Sequence, residues 1–568
     1  MRNCPILRRR LHSSANLSSP LVTAQIPYAR LPRSPTLARP YSTRTQPREA
    51  SSFWSVTFAL LAITGGAWLH DIYSKYKQQL PAPSRIPPQE PFLGIIDTLK
   101  TMPVEPAPGT VGTLTPEQEA KLQEFWLLTL KVFGVKLDGF EAEANGNGNN
   151  QAAPATPSTE KKSPTKRRWG LWGRGTDDED DKSVSSANGI TSGLASINIT
   201  DGDDKYGQSK EFQQALEQLE PEHIRTAYWN MVKQDNPDSL LLRFLRARKW
   251  DTKKALIMMI STMRWRLQDV HVDDDIMAHG DAVALEDSKS SDPGKKKKGE
   301  QFLYQMRMGK SFLHGVDRFG RPICVVRTRL HKAGDQDADT LERFTVYTIE
   351  TARLLLAPPV ETATIIFDMT DFSLANMDYT PVKFMIKCFE ANYPESLGAV
   401  LIHKAPWIFS SIWSVIKGWL DPVVAAKIHF TKNRQDLEAF IPPSQIMKEL
   451  DGDEDWKYEY VEVKDGENKL MEDTETRDKL LAERQTLAKE IQDITIEWIR
   501  ASFKKETEAA SAAKEKRNAL IEELRQQYWR LDPYIRARSL YDRLNIVQGG
   551  GKIEFYPDAS KTEDAKTA

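Results

Sequence analysis

The spacing of apolar residues changes part-way along the chain. Up to about residue 270, apolar side chains recur every three or four positions, which is typical of amphipathic helices. Beyond residue 300, short β-branched and aromatic runs alternate with further helical patterns. The first region predicts helices over 115–130, 212–234, 240–249 and 251–268. The second region predicts strands over 302–308, 323–328, 364–369, 399–403 and 427–430, and helices over 341–357, 381–392 and 407–420.

Strand–helix–strand repetition predicts an α/β fold, in which helices pack on a mainly parallel sheet. The C-terminal part is rich in Glu, Lys, Ala and Leu and predicts a tail of long, charge-laced helices with coiled-coil character. We expect the four lysines at 295–298 to lie in a polar loop. The predicted domains are a helical N-terminal subdomain (106–138 and 206–270), a disordered insertion (139–205), an α/β domain (301–463) and a helical C-terminal extension (464–568).

The N-terminal region resembles a targeting and membrane segment. Residues 1–50 contain nine arginines, no lysine and a single acidic residue, Glu49. Because a mitochondrial presequence is rich in Arg and Ser and poor in acids, we place one at 1–41. Residues 53–69 form an uncharged apolar run of seventeen residues, close to the shortest helix that spans a bilayer. These segments predict a single-pass mitochondrial membrane protein, whereas a translation start at Met102 predicts a cytosolic or peripheral membrane protein.

Composition argues against several classes of function. The formal net charge is −1 over 568 residues, and we expect no nucleic-acid partner. The three cysteines, Cys4, Cys324 and Cys388, are far apart and match no metal-binding spacing. The sequence contains no phosphate-binding G-x-x-x-x-G-K-[ST] loop, no H-E-x-x-H and no G-x-S-x-G. We therefore expect a protein that is not an enzyme and needs no metal or redox cofactor.

One predicted helix carries a cation where its pattern calls for an apolar residue. Leu241, Phe244, Leu245 and Arg248 follow the i, i+3, i+4, i+7 spacing of one helical face. The guanidinium of Arg248 is therefore expected to point inward, where a cation is costly unless it meets an anion. That anion is either an internal carboxylate or a bound ligand. A salt bridge at the end of the helix is the simpler alternative.

Five motifs, in order, resemble those of one protein family. They are RFLRARKWD (243–251), DRFGRP (317–322), VETATIIFD (360–368), YPE (393–395) and LDPVVAAKI (420–428). Together they resemble the CRAL-TRIO (Sec14-like) lipid-binding family, and within it the fungal phosphatidylinositol transfer proteins. The resemblance implies that the ligand is phosphatidylinositol, that an apolar cavity holds it without a cofactor, and that a membrane surface is a partner.

The resemblance also implies which residues bind the lipid headgroup. By their positions in the motifs, these are Arg248, Glu395 and Lys427. The two cations would donate to the phosphodiester, and Glu395 would accept hydrogen bonds from inositol hydroxyls. Val424 stands where the family has a hydroxyl residue, so one hydrogen bond worth about 0.5–1.5 kcal/mol is missing.

Four positions that hold the phosphatidylcholine headgroup in the family prototype are changed in this sequence. Two tyrosines and two small hydroxyl residues are replaced, so a trimethylammonium group loses its aromatic contacts and its phosphate loses donors. The resemblance therefore implies binding of phosphatidylinositol without exchange against phosphatidylcholine, and a cavity lined by apolar or small residues at these positions. The four residues are Leu313, Cys324, Ala363 and Ile365.

The predicted helix after Pro406 is apolar nearly all round, although a surface helix would carry a polar stripe. By resemblance it is the family's gating helix, which opens the cavity at a bilayer; a permanently buried core helix is the alternative. Its large apolar residues include Trp407, Phe409, Trp413 and Trp419.

The expected function is to move phosphatidylinositol between membranes, or to present it there or to a lipid-modifying enzyme. Two other functions stay open. The chain could carry a different hydrophobic ligand, such as a sterol or a tocopherol-like molecule, or it could act as a tether that transfers no lipid.

Overall fold

The first five helices form a subdomain around one apolar core. The structure is a computed structural model that describes residues 106–137 and 204–557. Trp126, Phe244 and Leu256, from three of the helices, are completely buried in this core. The helices are α1 (Pro116–Val132), α2 (Gln208–Gln218), α3 (Pro221–Val232), α4 (Pro237–Ala247) and α5 (Thr252–Arg264).

Local chemistry sets where these helices begin. The Thr115 hydroxyl accepts a hydrogen bond from the Gln118 N–H at 3.3 Å, and the Gln118 side chain accepts one from the Thr115 N–H at 3.1 Å. This reciprocal pair caps α1. The single helix predicted over 212–234 is in fact two, because Pro221 cannot donate to a preceding turn and instead starts α3. Asp251 caps α5, as predicted, by accepting from two N–H groups of its first turn.

Two predictions for the segment before the sheet are wrong. The predicted strand 302–308 and the lysines 295–298, predicted as a loop, both lie in or at the end of one helix. That helix starts after Asp292, whose carboxylate accepts from two N–H groups of the first turn. Its apolar residues are buried at helical spacing: Phe302, Leu303 and Met306. The two helices of this segment are α6 (Ala278–Ser288) and α7 (Pro293–Arg307).

The sheet confirms the predicted α/β fold with a mainly parallel arrangement. Its strand order is β1-β2-β3-β4-β5, with β1 antiparallel to β2 and all other neighbours parallel. Such parallel strands need helical crossovers, which cover the faces of the sheet. The strands are β1 (Ser311–Val316), β2 (Pro322–Arg327), β3 (Ala363–Asp368), β4 (Leu397–His403) and β5 (Ile428–Thr431).

The two faces of the sheet differ in what they contact. Ile366 and Leu401 point to one side and pack in a cluster with Leu437 and Leu450. Because side chains alternate along a strand, the next residues point to the other side, where three helices leave a cavity. The helices of this domain are α8 (Ala338–Leu354), α9 (Tyr379–Lys387), α10 (Phe409–Lys417), α11 (Pro422–Ala425) and α12 (Arg434–Glu438).

The predicted helical C-terminal tail is confirmed, and it packs into the helical subdomain. Ile491 and Leu524 belong to the same apolar core as α1. The buried guanidinium of Arg517 donates to both carboxylate oxygens of Asp238 on α4, at 2.5 and 2.6 Å. The tail is therefore part of that core, and its predicted coiled-coil character is not supported. Its helices are α13 (Thr474–Phe503), α14 (Thr507–Ile535) and α15 (Leu540–Arg543).

The predicted localisation, a single-pass mitochondrial membrane protein, is wrong. Among residues 106–137 and 204–557, no helix combines the length and the apolar character needed to cross a bilayer. The presequence predicted at 1–41 and the membrane helix predicted at 53–69 lie outside the described residues, as does nearly all of the insertion predicted at 139–205.

Candidate functional site

An apolar cavity of about 240 Å³ lies between the sheet and helices α8, α9 and α10. Side chains from β2, β3 and β4 form its floor, and the three helices form its walls. Most of the lining groups are aliphatic or aromatic, so the cavity suits hydrocarbon rather than water. Representative lining residues are Val326, Phe367, Val400, Ile402, Phe344 and Ile386.

The four predicted cavity residues divide into two pairs. Cys324 and Ile365 line the cavity, and burial raises the pKa of the Cys324 thiol to about 12, so this group stays uncharged. Leu313 is buried in the same apolar cluster but does not line the cavity, and Ala363 lies half-buried at the start of β3. The Leu313 N–H donates to the Tyr541 hydroxyl at 2.7 Å, so the C-terminal segment covers this strand.

The predicted gating helix, α10, has one face on the cavity and the other outside. Phe409 and Trp413 line the cavity, and the Trp413 ring meets the Phe430 ring edge-on, with 5.3 Å between centroids. Trp407, just before the helix, is 86% exposed, and Val415 on its outer face is also exposed. The rest of this outer face is polar, since Ser410, Ser411, Ser414 and Lys417 are exposed there. It is therefore not a permanently buried core helix.

A separate polar pocket of about 560 Å³ brings the three predicted headgroup residues together. Lys427 Nζ lies 3.0 Å from Glu395 Oε2, in a half-exposed ion pair. Arg248 lies on the same pocket and donates to the Gln208 side-chain oxygen at 2.7 Å. Arg248 is half-buried rather than fully inward, because α4 ends at Ala247 and the helical spacing does not extend to the next residue.

The polar pocket has an excess of positive charge. Six lysines and arginines line it against four acidic side chains. One of the six, Arg246, donates to Glu361 at 3.0 Å, and burial lowers the pKa of this guanidinium, although it still remains charged. Glu395 has a backbone φ of 52°, a left-handed conformation that an L-residue adopts at some cost. A net cationic pocket favours an anionic ligand group.

The cavity and the polar pocket are adjacent. Phe389, Leu397 and Val424 line both of them. An amphipathic molecule could therefore place its chains in the cavity and its charged group in the pocket. Val424, where the family hydroxyl is missing, lies at this junction.

Sequence reasoning missed a buried cation that holds the YPE segment in place. Arg243 on α4 is 4% exposed, and its guanidinium donates to the backbone oxygens of Glu361 at 2.6 Å and Glu395 at 3.2 Å. The available signal was its place inside an otherwise apolar run, 240–245, and the structure buries every residue of 237–245. Arg243 therefore positions the backbone that carries the Glu395 side chain.

Sequence reasoning also missed Glu390, which connects the polar pocket to the segment that follows α10. Glu390 accepts from Lys205 at 2.6 Å, from the Tyr206 hydroxyl at 2.7 Å and from the Asp421 N–H at 2.7 Å. Lys205 also donates to the Trp419 backbone oxygen. We call these five residues the Glu390 latch. Because they are distant in sequence, only the fold brings them together.

The rings around the latch add an apolar contact. The Trp419 ring meets the Tyr379 ring edge-on, with 5.3 Å between centroids, and the Lys383 ammonium lies 4.7 Å from the centre of the Trp419 ring. Trp419 thus belongs to the rim rather than to the cavity wall.

Comparison with known proteins identifies the family. Residues 208–261 match the CRAL/TRIO N-terminal domain, and residues 306–452 match the CRAL/TRIO domain. The CRAL-TRIO domain-containing protein C3H8.02 of Schizosaccharomyces pombe is 39% identical over 443 residues, which cover 77% of this chain and 92% of that protein. The chain belongs to the CRAL-TRIO family. As a member of it, this chain is a Sec14-like lipid-binding or transfer protein.

A second CRAL-TRIO relative has a more specific name. The phosphatidylinositol transfer protein CSR1 of Eremothecium gossypii is 40% identical over 451 residues, which cover 77% of this chain and 97% of that protein. A further CRAL-TRIO domain-containing protein of S. pombe, C365.01, is 28% identical over 348 residues, 59% of this chain and 89% of that protein. The family assignment thus extends well beyond the two matched domains.

Proposed function

We propose that this protein binds phosphatidylinositol and moves or presents it between membranes, by binding alone and without a catalytic step. The acyl chains would occupy the apolar cavity, and the inositol phosphate would occupy the polar pocket beside it. The observation that carries this proposal is the junction of the two, at Phe389, Leu397 and Val424.

The polar pocket has the chemistry that an inositol phosphate requires. Arg248 and Lys427 supply donors for a phosphodiester, and Glu395 supplies an acceptor for ring hydroxyls. In the structure Glu395 neutralises Lys427, so a bound phosphate would replace one ionic contact with another. The relative CSR1, which is 40% identical, is named a phosphatidylinositol transfer protein, and this supports phosphatidylinositol as the ligand.

Three exposed apolar side chains around α10 support contact with a membrane. Trp407, Val415 and Phe430 are exposed apolar residues on or next to α10. Trp side chains favour the boundary between water and lipid. We propose that this surface meets the bilayer when α10 opens.

At the two predicted choline-headgroup positions that line the cavity, the side chains argue against exchange with phosphatidylcholine. Cys324 and Ile365 offer no aromatic face to a trimethylammonium group, and the uncharged thiol is a weak donor to phosphate. We therefore propose that the second ligand, if there is one, is not a choline lipid.

Lipid extraction tests this proposal directly. The full-length protein is purified and its bound lipids are identified by mass spectrometry, in parallel with the variants Arg248→Ala and Lys427→Ala. We expect phosphatidylinositol on the wild type and at least a tenfold loss in each variant, since a hydrogen bond to a charged group contributes about 1.5–3 kcal/mol.

The matched control is Arg434→Ala, which removes an exposed guanidinium that pairs with Glu438 and Asp453 away from the pocket. This variant should load lipid like the wild type. A sterol or another neutral lipid on the wild type, unaffected by either pocket variant, would show that the protein carries a different hydrophobe. A protein without lipid would act as a tether. Robust transfer of phosphatidylcholine would refute the predicted lack of exchange.

A further inference from the structure

A second polar region lies at the far end of the cavity from the headgroup residues. Lys310 precedes β1, and its backbone oxygen accepts from the Arg327 N–H at 2.9 Å, at the C-terminal end of β2. Glu395 instead lies just before β4. Because β2, β3 and β4 are parallel and a strand rises about 3.3 Å per residue, the two regions are roughly 20 Å apart along the strands.

Lys310 is a buried cation that faces the cavity. Its side chain lines the cavity wall, and the residue is only 4% exposed. Its ammonium donates to the Gln336 side-chain oxygen at 3.0 Å and lies 3.3 Å from His331 Nδ1. Within the part of the chain that the structure describes, no carboxylate oxygen lies within 4.0 Å of this nitrogen. Burial lowers the pKa of Lys310 to about 8, so most of the ammonium persists at pH 7.

Two other polar side chains at this end, Arg327 and Thr328, already have hydrogen-bond partners. Arg327 forms a two-point ion pair with Glu449, in which one of the distances is 2.8 Å. The Thr328 hydroxyl donates to the Asp368 backbone oxygen at 2.6 Å. His331 Nε2 faces Asp378 at 3.5 Å, so its Nδ1 is left to accept from the Lys310 ammonium. Lys310 is thus a buried cation whose hydrogen-bond partners, among the residues that the structure describes, are all uncharged.

We propose that this end of the cavity is a second binding subsite, which receives a compact anionic group, a carboxylate or a phosphate monoester, at the end of a long aliphatic chain. The anion would supply the partner that Lys310 lacks, and the apolar walls would contact the chain. This ligand would lie in the same cavity as the proposed phosphatidylinositol but with its charge at the opposite end.

The shape of this end suits a single chain with a small headgroup. A second pocket of about 160 Å³ adjoins it and shares Leu341, Thr345, Asp378 and Pro381 as walls. Because the carboxylates of Glu342 and Asp378 also line this second pocket, the anionic group is expected to stay beside the Lys310 ammonium rather than enter it. A bulky zwitterionic headgroup would meet only one cation there that is not already paired.

Three probes with the same hydrocarbon chain test the proposal: oleic acid, oleoyl lysophosphatidate and oleyl alcohol. Each is titrated at pH 7 into delipidated full-length protein and into the variant Lys310→Met. For the wild type, we expect at least one of the two acidic probes to bind at least tenfold more tightly than the alcohol. In Lys310→Met this preference should disappear, while the alcohol should change by less than twofold. The tighter acidic probe identifies the source of the anionic group.

Two controls keep the result specific. Lys448→Met removes an exposed lysine that pairs with Asp455, and it should keep the preference for acids. Lys310→Gln keeps a polar side chain of similar length and replaces the methionine variant if that one fails to unfold cooperatively. Loading of phosphatidylinositol should fall far less in either Lys310 variant than in Arg248→Ala, which separates this subsite from the headgroup pocket.

Three results would overturn the proposal. The wild type could bind both acids no better than the alcohol. The preference could survive the loss of the Lys310 charge. It could also be lost in Arg248→Ala with Lys427→Ala, which would place the acidic group in the headgroup pocket.

Discussion

The two polar regions at the ends of the cavity differ in whether a carboxylate pairs with the lysine. At one end Lys427 lies half-exposed in an open pocket, 3.0 Å from the carboxylate of Glu395. At the other end Lys310 is buried, and its contacts are an amide oxygen and an imidazole nitrogen. The first cation is neutralised by a carboxylate of the protein, whereas the second is buried without one, which lowers the free energy of unfolding. The contrast indicates that Lys310 serves a ligand rather than the fold.

The largest expected effect is on the loading of phosphatidylinositol, which should depend on the headgroup pocket and very little on Lys310. In the double variant Arg248→Ala with Lys427→Ala, loading of phosphatidylinositol into the full-length protein should fall at least about 100-fold, because two charge-assisted contacts of about 1.5–3 kcal/mol each are lost. Lys310→Met should change the same quantity by less than twofold. Equal losses in the two proteins, measured with radiolabelled lipid, would mean that the ends do not act separately.

A smaller effect concerns stability. Lys310→Met should raise the free energy of unfolding at pH 7 by about 1–3 kcal/mol, because an apolar group replaces a buried charge without a carboxylate partner. Lys427→Met should change it by less than about 1 kcal/mol, since it breaks a partly exposed pair. Urea unfolding of lipid-free protein measures both. A destabilised Lys310→Met would show that the ammonium supports the fold.

The difference in free energy of unfolding between the wild type and Lys310→Met should also depend on pH. The pKa of Lys310 is about 8 in the folded protein and about 10.5 when exposed, so the unfolded chain binds the proton more tightly. The wild type therefore gains stability relative to Lys310→Met as the pH rises from about 8 to about 10.5. The other titratable groups that face this region, His331, Asp335 and Asp378, are the same in both proteins. A difference that stays constant from pH 7 to pH 10.5 would contradict the assignment.

The smallest expected effect concerns the Glu390 latch beside the headgroup pocket. Glu390→Gln weakens the contacts to Lys205 and to the Asp421 N–H, so the rim should open more easily. We expect phosphatidylinositol to leave about two- to fivefold faster, which corresponds to roughly 0.5–1 kcal/mol for a partly exposed ion pair. Release of oleic acid, held at the other end, should not change. A stopped-flow measurement with fluorescent lipids compares the two rates.

The sequence predicted much of the fold because its patterns are local. The strand at 364–369 and the helix at 341–357 are found within three residues of their predicted ends. The prediction failed at 302–308, where an apolar run that includes Phe302, Leu303 and Met306 fits a strand and a buried helix equally well. Only packing against the neighbouring helices decides between the two.

The site could be predicted in part for the same reason. Arg248, Glu395 and Lys427 carry recognisable motifs, and the structure brings them to one pocket, although their role there stays a prediction. Lys310 precedes a strand and resembles any surface lysine in the sequence. Its burial depends on Gln336 and His331, which are more than twenty residues away. The Glu390 latch depends on contacts across about 185 residues and could not be predicted.

The hydrogen bond between Tyr541 and β1 has a consequence for how the chain can be shortened. β1 is the first strand of the sheet, and two of its outward N–H groups donate to side chains, that of Leu313 to Tyr541 at 2.7 Å and that of Val316 to Gln445 at 2.8 Å. Removal of the residues after α14 would uncover part of this edge. An uncovered edge strand is a template for a strand from another molecule. We therefore expect a protein shortened after α14 to self-associate more readily than the full-length protein.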